Sequence, residues 1–259
     1  MALLHVRYES EALLMELGMD VIIPSKSQYP TEQPREEYPV LYLLHGMGQG
    51  ETSWQRYTRI ERYVKDLDVV VVMPTGHRSF YTNTLAGNKY FDMMTKELPA
   101  VCRSMFPIKA GRENSFVCGL SMGGYGALKL GILSPETYSH AASLSGVVAL
   151  PEKNHMNNPD KRRELLHYFG ENLFDTEHDL LHMAQKQLDR GVDLPKLYMA
   201  CGTEDSLYWT SQLFMSRFAG KLDITYREGP GAHTWDFWDE YVQYVLEWLP
   251  IKGNSNKKK

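Results

Sequence analysis

The stretch Ser115-Phe116-Val117-Cys118-Gly119-Leu120-Ser121-Met122-Gly123-Gly124-Tyr125-Gly126-Ala127-Leu128-Lys129-Leu130-Gly131-Ile132-Leu133 decides how the chain folds. It opens on an apolar run of strand character and closes, from Tyr125, on a run that reads as a helix. Between them Gly119-Leu120-Ser121-Met122-Gly123 fits G-x-S-x-G, the sharp strand-to-helix turn that lifts a strained serine hydroxyl above a sheet. The glycines on both sides of Ser121 let the backbone turn that tightly. Ser121 could instead merely cap the following helix, as serine often does. Its partners elsewhere in the chain separate the two roles.

Working outward, residues 3–9 and 12–23 read as two strands forming an antiparallel pair. A polar, proline-rich connection over 25–39 leads to Val40-Leu41-Tyr42-Leu43-Leu44, a continuous apolar run of the kind found in strands buried on both faces. A helix over 53–66, a strand at Val69-Val70-Val71-Val72-Met73 and a helix over 90–105 precede the Ser121 strand. Ala141-Ala142-Ser143-Leu144, Leu197-Tyr198-Met199-Ala200 and Ile224-Thr225-Tyr226-Arg227 read as three more strands, and a terminal helix spans 235–248. Strands alternating with helices predict an α/β fold: a mostly parallel central sheet with helices on both faces. Residues 151–194 break the rhythm. They are polar and read as one or two short helices, either a small cap over the ligand crevice or a surface excursion without a role.

The 259 residues suit a single α/β domain, 1–259, ending in a frayed tail over 252–259. A net charge of −4, with no basic cluster in the body, argues against nucleic acid or an anionic membrane as partner. No apolar run approaches the roughly 18 residues of a membrane span, and the amino-terminal run, broken by His5 and Arg7, is not a secretory signal. Cys102, Cys118 and Cys201 form no C-x-x-C pair and fit buried free thiols in a reducing, cytoplasmic compartment.

A serine hydroxyl needs a base within hydrogen-bond reach and a group that orients the base. Where the nucleophile sits on such an elbow, the chain order is serine, then acid, then histidine. Only His233, in Glu228-Gly229-Pro230-Gly231-Ala232-His233-Thr234, follows the last strand. The acid belongs after the preceding strand, where Glu204 and Asp205 both qualify by spacing; Asp205 is preferred, with Asp223, Asp236 and Asp239 as outsiders. Asp205 would accept the imidazole N–H and fix its tautomer. The oxyanion donors would be the backbone N–H groups of Met122 and of Met47, the latter in the turn Leu44-His45-Gly46-Met47-Gly48-Gln49-Gly50, whose loop His45 shapes. Those glycines lack the third position of a dinucleotide loop. No metal site is expected.

On these residues the chain resembles the esterase D-like α/β-hydrolases, especially the tributyrin esterase branch with its cinnamoyl (feruloyl) and acetyl esterases. The likeness spans nearly the whole chain. It rests on Leu43-Leu44-His45-Gly46-Met47, Met73-Pro74, Ser79-Phe80-Tyr81-Thr82-Asn83, Glu97-Leu98-Pro99, the Gly119–Ala127 stretch, Cys201-Gly202-Thr203-Glu204-Asp205 and Gly231-Ala232-His233-Thr234-Trp235. The resemblance implies an α/β-hydrolase fold, a triad of Ser121, Asp205 and His233, and cofactor-free hydrolysis of short-chain acyl esters.

The expected reaction is two-step acyl transfer through an acyl-enzyme on Ser121, acting on small water-soluble esters: acetyl, propionyl, butyryl or hydroxycinnamoyl. Trp54, Tyr81, Trp209, Trp235 and Trp238 either line the ester pocket or pack in the core. A thioesterase of the S-formylglutathione hydrolase kind is the enzymatic alternative, against which the sequence His45-Gly46-Met47-Gly48 counts. A hydrolase scaffold kept as a binding module is the non-enzymatic one. Self-association into a homo-oligomer stays open.

Overall fold

Valine and leucine are the commonest apolar residues of the runs, and the valines, branched at Cβ, pack well on a pleated surface. The computed structural model describes residues 1–24, 37–149, 159–171 and 173–253. The runs form eight strands: β1 (Ala2–Ser10), β2 (Met15–Ile23), β3 (Val40–Leu44), β4 (Val70–Pro74), β5 (Ser115–Leu120), β6 (His140–Leu144), β7 (Lys196–Gly202) and β8 (Ile224–Gly229). They lie in one sheet in the order β1-β2-β4-β3-β5-β6-β7-β8. β2 is antiparallel to both β1 and β4; every other neighbouring pair is parallel. Antiparallel strands therefore occupy one edge, as the pattern predicted.

The described helices are α1 (Ser53–Tyr57), α2 (Ile60–Val64), α3 (Tyr90–Asp92), α4 (Leu98–Met105), α5 (Met122–Leu133), α6 (Pro159–Phe169), α7 (Leu180–Asp189), α8 (Tyr208–Phe218) and α9 (Trp235–Trp248). Side chains alternate across a strand, so the continuous apolar runs feed two cores. Val40, Tyr42, Leu44, Val70 and Val72 face α4, α5, α7 and α8. Leu41, Leu43, Val71 and Met73 face α1, α2 and α9. All nine strand residues are fully buried, each contributing about 1.5–3 kcal/mol by leaving water.

The parallel register aligns the carboxyl ends of the strands. Leu44 pairs with Gly119, Leu120 with Leu144, Leu144 with Ala200, and Gly202 with Gly229. The chain thus leaves the sheet at one rim: His45 after β3, Ser121 after β5, Ser145 after β6, and the loops of Asp205 and His233 after β7 and β8. Glycine makes the turn at Ser121 possible by close approach. A Cβ on Gly119 would run into the Gly123 carbonyl, and one on Gly123 would lie 2.6 Å from the His45 carbonyl oxygen.

Three elements depart from the sequence pattern. The helix expected over 53–66 is two short ones: Thr58 N–H and hydroxyl both donate to the Trp54 carbonyl, closing the first helix, and the same hydroxyl accepts from Ile60 N–H, diverting a donor that a continuous helix would give to Arg56 O. The helix over 90–105 contains a π turn at Met93–Glu97, just ahead of Pro99, which has no N–H to give to the preceding turn. β2 starts at Met15, after a turn in which Leu14 takes φ 53°.

Of the region 151–194, the described part holds α6 and α7, the short helices expected there. It packs on the α5 face: Phe169 meets Phe80 and Tyr125, Tyr125 Oη donates to His178 O, and Gln187 Nε2 donates to Ile132 O. Residues 150–158, 172 and 254–259 lie outside the described residues, as do most of the 25–39 connection and the lysines that end the expected tail.

Candidate active site

Ser121 leaves β5 with φ 53° and ψ −117°, a sparsely populated conformation costing on the order of 1–3 kcal/mol. Its N–H donates to Leu144 O at 2.9 Å, and its own carbonyl accepts from Tyr125 N–H at 3.1 Å, which starts α5. The backbone is pinned on both sides, so the half-buried side chain is the part left to project.

Opposite it lies His233, with Nε2 2.9 Å from Ser121 Oγ and Nδ1 2.8 Å from Asp205 Oδ2. An ionised carboxylate only accepts, so Nδ1 carries the proton and the Nε2 lone pair faces the serine hydroxyl. Asp205 has no side-chain exposure, and His233 about a third. Burial pushes the Asp205 carboxyl up. Hydrogen bonds from His233, Leu207 N–H and the Ser145 hydroxyl, together with the His233 charge, outweigh burial and hold it below its ordinary value. Leu207 N–H reaches Oδ1 at 2.8 Å.

The neighbouring Glu204, the other residue with suitable spacing, does different work. Its carboxylate accepts from Gly231 N–H and its own N–H donates to Gly231 O at 3.0 Å, so it fastens the loop that carries His233. Asp239 takes Arg59 N–H and the Tyr63 hydroxyl, and Asp223 lies beside Lys196. Neither joins the line.

A second loop closes over the elbow. A Cβ on Gly46 would sit 3.5 Å from Ser121 Cβ. The loop is held by His45, which is 1% exposed and which burial pushes down to about 4. Its Nε2 accepts from Gly76 N–H at 2.8 Å, so its proton is on Nδ1, which donates to Gly46 O at 2.7 Å. Gln49 N–H also donates to Gly46 O, at 3.3 Å. With the Gly46 carbonyl turned toward these two donors, the trans peptide points the Met47 N–H the opposite way. Met122 N–H opens α5, where the helix end favours negative charge. Neither N–H is spent on a hydrogen bond among the described residues. A base, an oriented hydroxyl and unspent donors beside it can carry out acyl transfer.

Comparison with known proteins agrees with this geometry. Residues 10–247 match the model of the Esterase family, described as "Putative esterase". The chain belongs to this family. It is 30% identical to an acetyl esterase of Caldicellulosiruptor saccharolyticus over 261 residues, covering 96% of this chain and 98% of that one. Among solved structures it is similar to the substrate-bound fluorophosphonate-binding serine hydrolase FphF of Staphylococcus aureus, at 28% identity and TM-score 0.87. It is also similar to the S-formylglutathione hydrolase FrmB of the same organism, at 28% and 0.85. Each comparison covers 96% of this chain and 98% of the other. The α/β-hydrolase fold and the resemblance read from the sequence therefore hold, and the chain is a serine esterase, a carboxylic ester hydrolase.

Two of the expected pocket residues are corrected by their burial. Trp54 and Tyr81 are fully buried and present no surface to an ester. They hold the start of the loop that carries Gly46 and Met47: Trp54 Nε1 donates to Leu44 O, and Tyr81 Oη to His45 O, each at 3.0 Å. Trp235 is half-buried, stacked on Tyr57 with centroids 5.0 Å apart. Trp209 is 48% exposed on α8, and Trp238 is buried with its N–H on Ser145 Oγ. The sequence reading missed Ser145, though a small polar residue before Gly146, at the end of the strand beside the nucleophile strand, was a usable signal. Among the described residues no group of three or more His, Cys, Asp or Glu side chains could hold a metal ion, and no helix is long and apolar enough to cross a membrane.

Proposed function

We propose that the esterase hydrolyses small, water-soluble acyl esters, acetyl to butyryl or hydroxycinnamoyl, through an acyl-enzyme on Ser121. The observation that carries this is the hydrogen-bonded line from Ser121 Oγ through His233 to Asp205. Ser121 attacks the ester carbonyl while His233 Nε2 takes its proton; the Met47 and Met122 N–H groups receive the oxyanion. His233 then returns the proton to the departing alcohol, and water, activated by the same base, releases the acid. Asp205 holds the Nδ1–H tautomer and stabilises the imidazolium. The acetyl esterase similar along nearly the whole chain supports a short acyl group. The described part of 151–194, packed on the α5 face, acts as a small cap, and three free, buried cysteines support a cytoplasmic location.

A panel of p-nitrophenyl acetate, butyrate and octanoate, methyl ferulate and S-formylglutathione tests the assignment, with fluorophosphonate labelling of the wild type and Ser121→Ala. Acetate, butyrate or methyl ferulate leads in kcat/KM, and Ser121→Ala abolishes both turnover and labelling. A tenfold preference (about 1.4 kcal/mol in the barrier) for octanoate or S-formylglutathione overturns the substrate assignment. Labelling that survives in Ser121→Ala overturns the nucleophile.

A further inference from the structure

Gly46 stands between the nucleophile and a carboxamide. A Cβ there would lie 2.7 Å from Leu120 Cδ1, 3.2 Å from Gln49 Oε1 and 3.5 Å from Ser121 Cβ. Close approach thus requires glycine, and a glycine has no conformational preference strong enough to hold one backbone shape by itself. The hold comes from Gln49. Its Oε1 accepts from Gly46 N–H at 2.9 Å, and its own N–H donates to Gly46 O at 3.3 Å. One residue therefore grips both polar groups of the glycine. We propose that Gln49 is a positioning residue of the reaction, whose carboxamide fixes Gly46 and so aims the Met47 N–H at the oxyanion. The proposal rests on the oxyanion role given to that N–H above and names what keeps it in place.

The two grips act on different peptide planes. Gly46 N–H lies in the plane shared with His45, and Gly46 O in the plane shared with Met47, which also carries the Met47 N–H. The second plane is held at its carbonyl by His45 Nδ1, at 2.7 Å, and by the Gln49 N–H. The first is held by Tyr81 Oη on the His45 carbonyl, at 3.0 Å, and by Gln49 Oε1, the one acceptor that Gly46 N–H has among the described residues. Gly46 is buried, so without that oxygen its N–H would lack a partner, a state costly enough to turn the plane. Residues 46–49 form a β-turn closed by the Gln49 N–H, with Gly48 at φ 75°, as a type II turn demands of its third residue. The turn brings Gln49 back beside Gly46, where its side chain can fold onto the same residue. Polarity then fixes the amide. A peptide N–H only donates, so the carboxamide oxygen faces Gly46 and its NH2 faces away.

The test compares Gln49→Met and Gln49→Glu with the wild type on p-nitrophenyl acetate and on its thionoester, in which sulfur replaces the carbonyl oxygen. Sulfur is a weak acceptor, so a thionoester gains little from an oxyanion donor. Methionine keeps the length of the side chain but offers only a thioether to Gly46 N–H. In Gln49→Met the kcat on the ester falls on the order of tenfold. That is less than the 100- to 1000-fold of a lost donor, because the Gly46 carbonyl keeps both its holders. KM stays within about twofold, as expected for a contact made only in the transition state, and turnover of the thionoester falls less than about twofold. The preference for ester over thionoester thus shrinks along with kcat, which a loosened fold would not produce. Gln49→Glu keeps an oxygen on Gly46 N–H and recovers most of the ester activity in about 1 M salt, where its charge is screened within ~3 Å. The proposal is overturned if Gln49→Met slows both substrates equally or leaves both unchanged. It is also overturned if Gln49→Glu is no faster than Gln49→Met, since the amide NH2 would then be the working group. A wild type with no preference for the ester would overturn it together with the oxyanion assignment on which it rests. Should Gln49→Met not fold, Gln49→Leu decides by the same criteria.

Discussion

Two histidines serve the ground around Ser121, and both carry their proton on Nδ1, yet their partners give them opposite work. His233 hands its Nδ1 proton to a carboxylate and turns the Nε2 lone pair to a hydroxyl at a partly open surface. His45 hands its proton to the Gly46 carbonyl and spends its lone pair on the Gly76 N–H, inside the protein. A protonated His233 keeps all its partners and gains a counter-ion. A protonated His45 would point an N–H at an N–H in a buried site. The first is built to change charge and the second to avoid it, so the partner, more than the residue type, decides which histidine can be a base.

The strongest way to break this contrast is to delete the base. His233→Ala lowers kcat by on the order of a million-fold, as when a member of a serine–histidine pair is removed. Folding is little affected, because the side chain is about a third exposed and leaves no sealed cavity. Turnover of p-nitrophenyl acetate together with a thermal melt measures both. Activity within about a hundredfold of the wild type would mean that another group takes the serine proton.

Much of this contrast could be read before any coordinates. The order serine, acid, histidine along the chain and the single histidine beyond the last strand placed His233, and the loop after β3 placed His45 beside it. The choice between Glu204 and Asp205 was not fixed by spacing, since adjacent residues in a turn point opposite ways: Asp205 inward to His233, Glu204 outward to the Gly231 backbone. Trp54 and Tyr81 were harder still. An aromatic residue near a site in sequence looks the same whether its ring faces the ligand or lies beneath the loop, and here their donors go to Leu44 and His45 carbonyls. The break at Thr58 was hidden in one hydroxyl that competes with the helix for backbone groups.

Deleting the structural histidine sharpens the contrast. His45→Ala removes no reacting group, but frees the Gly46 carbonyl and so the aim of the Met47 N–H. Loss of one oxyanion donor costs about 100- to 1000-fold in kcat, and with Gln49 N–H still on Gly46 O the expected loss is about a hundredfold, at the lower end of that range. Unlike His233→Ala, this variant also loses stability, about 1–3 kcal/mol, because the Gly76 N–H is left buried without an acceptor. Urea unfolding and turnover on the same preparation give the pair of numbers. A hundredfold loss of kcat with unchanged stability would place His45 in the chemistry, not under the loop.

The smallest expected effect is the dependence of stability on pH, and its sign separates the buried histidine from the carboxylate beside the base. Burial pushes His45 down to about 4 from an ordinary 6.5. The unfolded chain therefore binds a proton below about 6.5 that the folded protein refuses until about 4, so stability is intact above that window and eroded as pH falls through it. At pH 5.5 one such histidine costs about 1 kcal/mol. His140 and His178, also pushed down to about 4, chiefly by burial, add comparable shares. Asp205, held below its ordinary carboxylate value, acts in a lower window: its contribution is present above the unfolded carboxylate range and is lost only as pH falls below it. Lys129, pushed down to about 7 by burial, also refuses in the folded state a proton that the unfolded chain holds, and adds a smaller share over the same range. Unfolding free energies at pH 7.5, 6.5 and 5.5 then fall in the wild type, and in His45→Ala the slope is shallower by about a quarter. An unchanged slope would mean that His45 takes up its proton as readily folded as unfolded, and the neutral, Nδ1-protonated imidazole under the oxyanion loop would have to be abandoned.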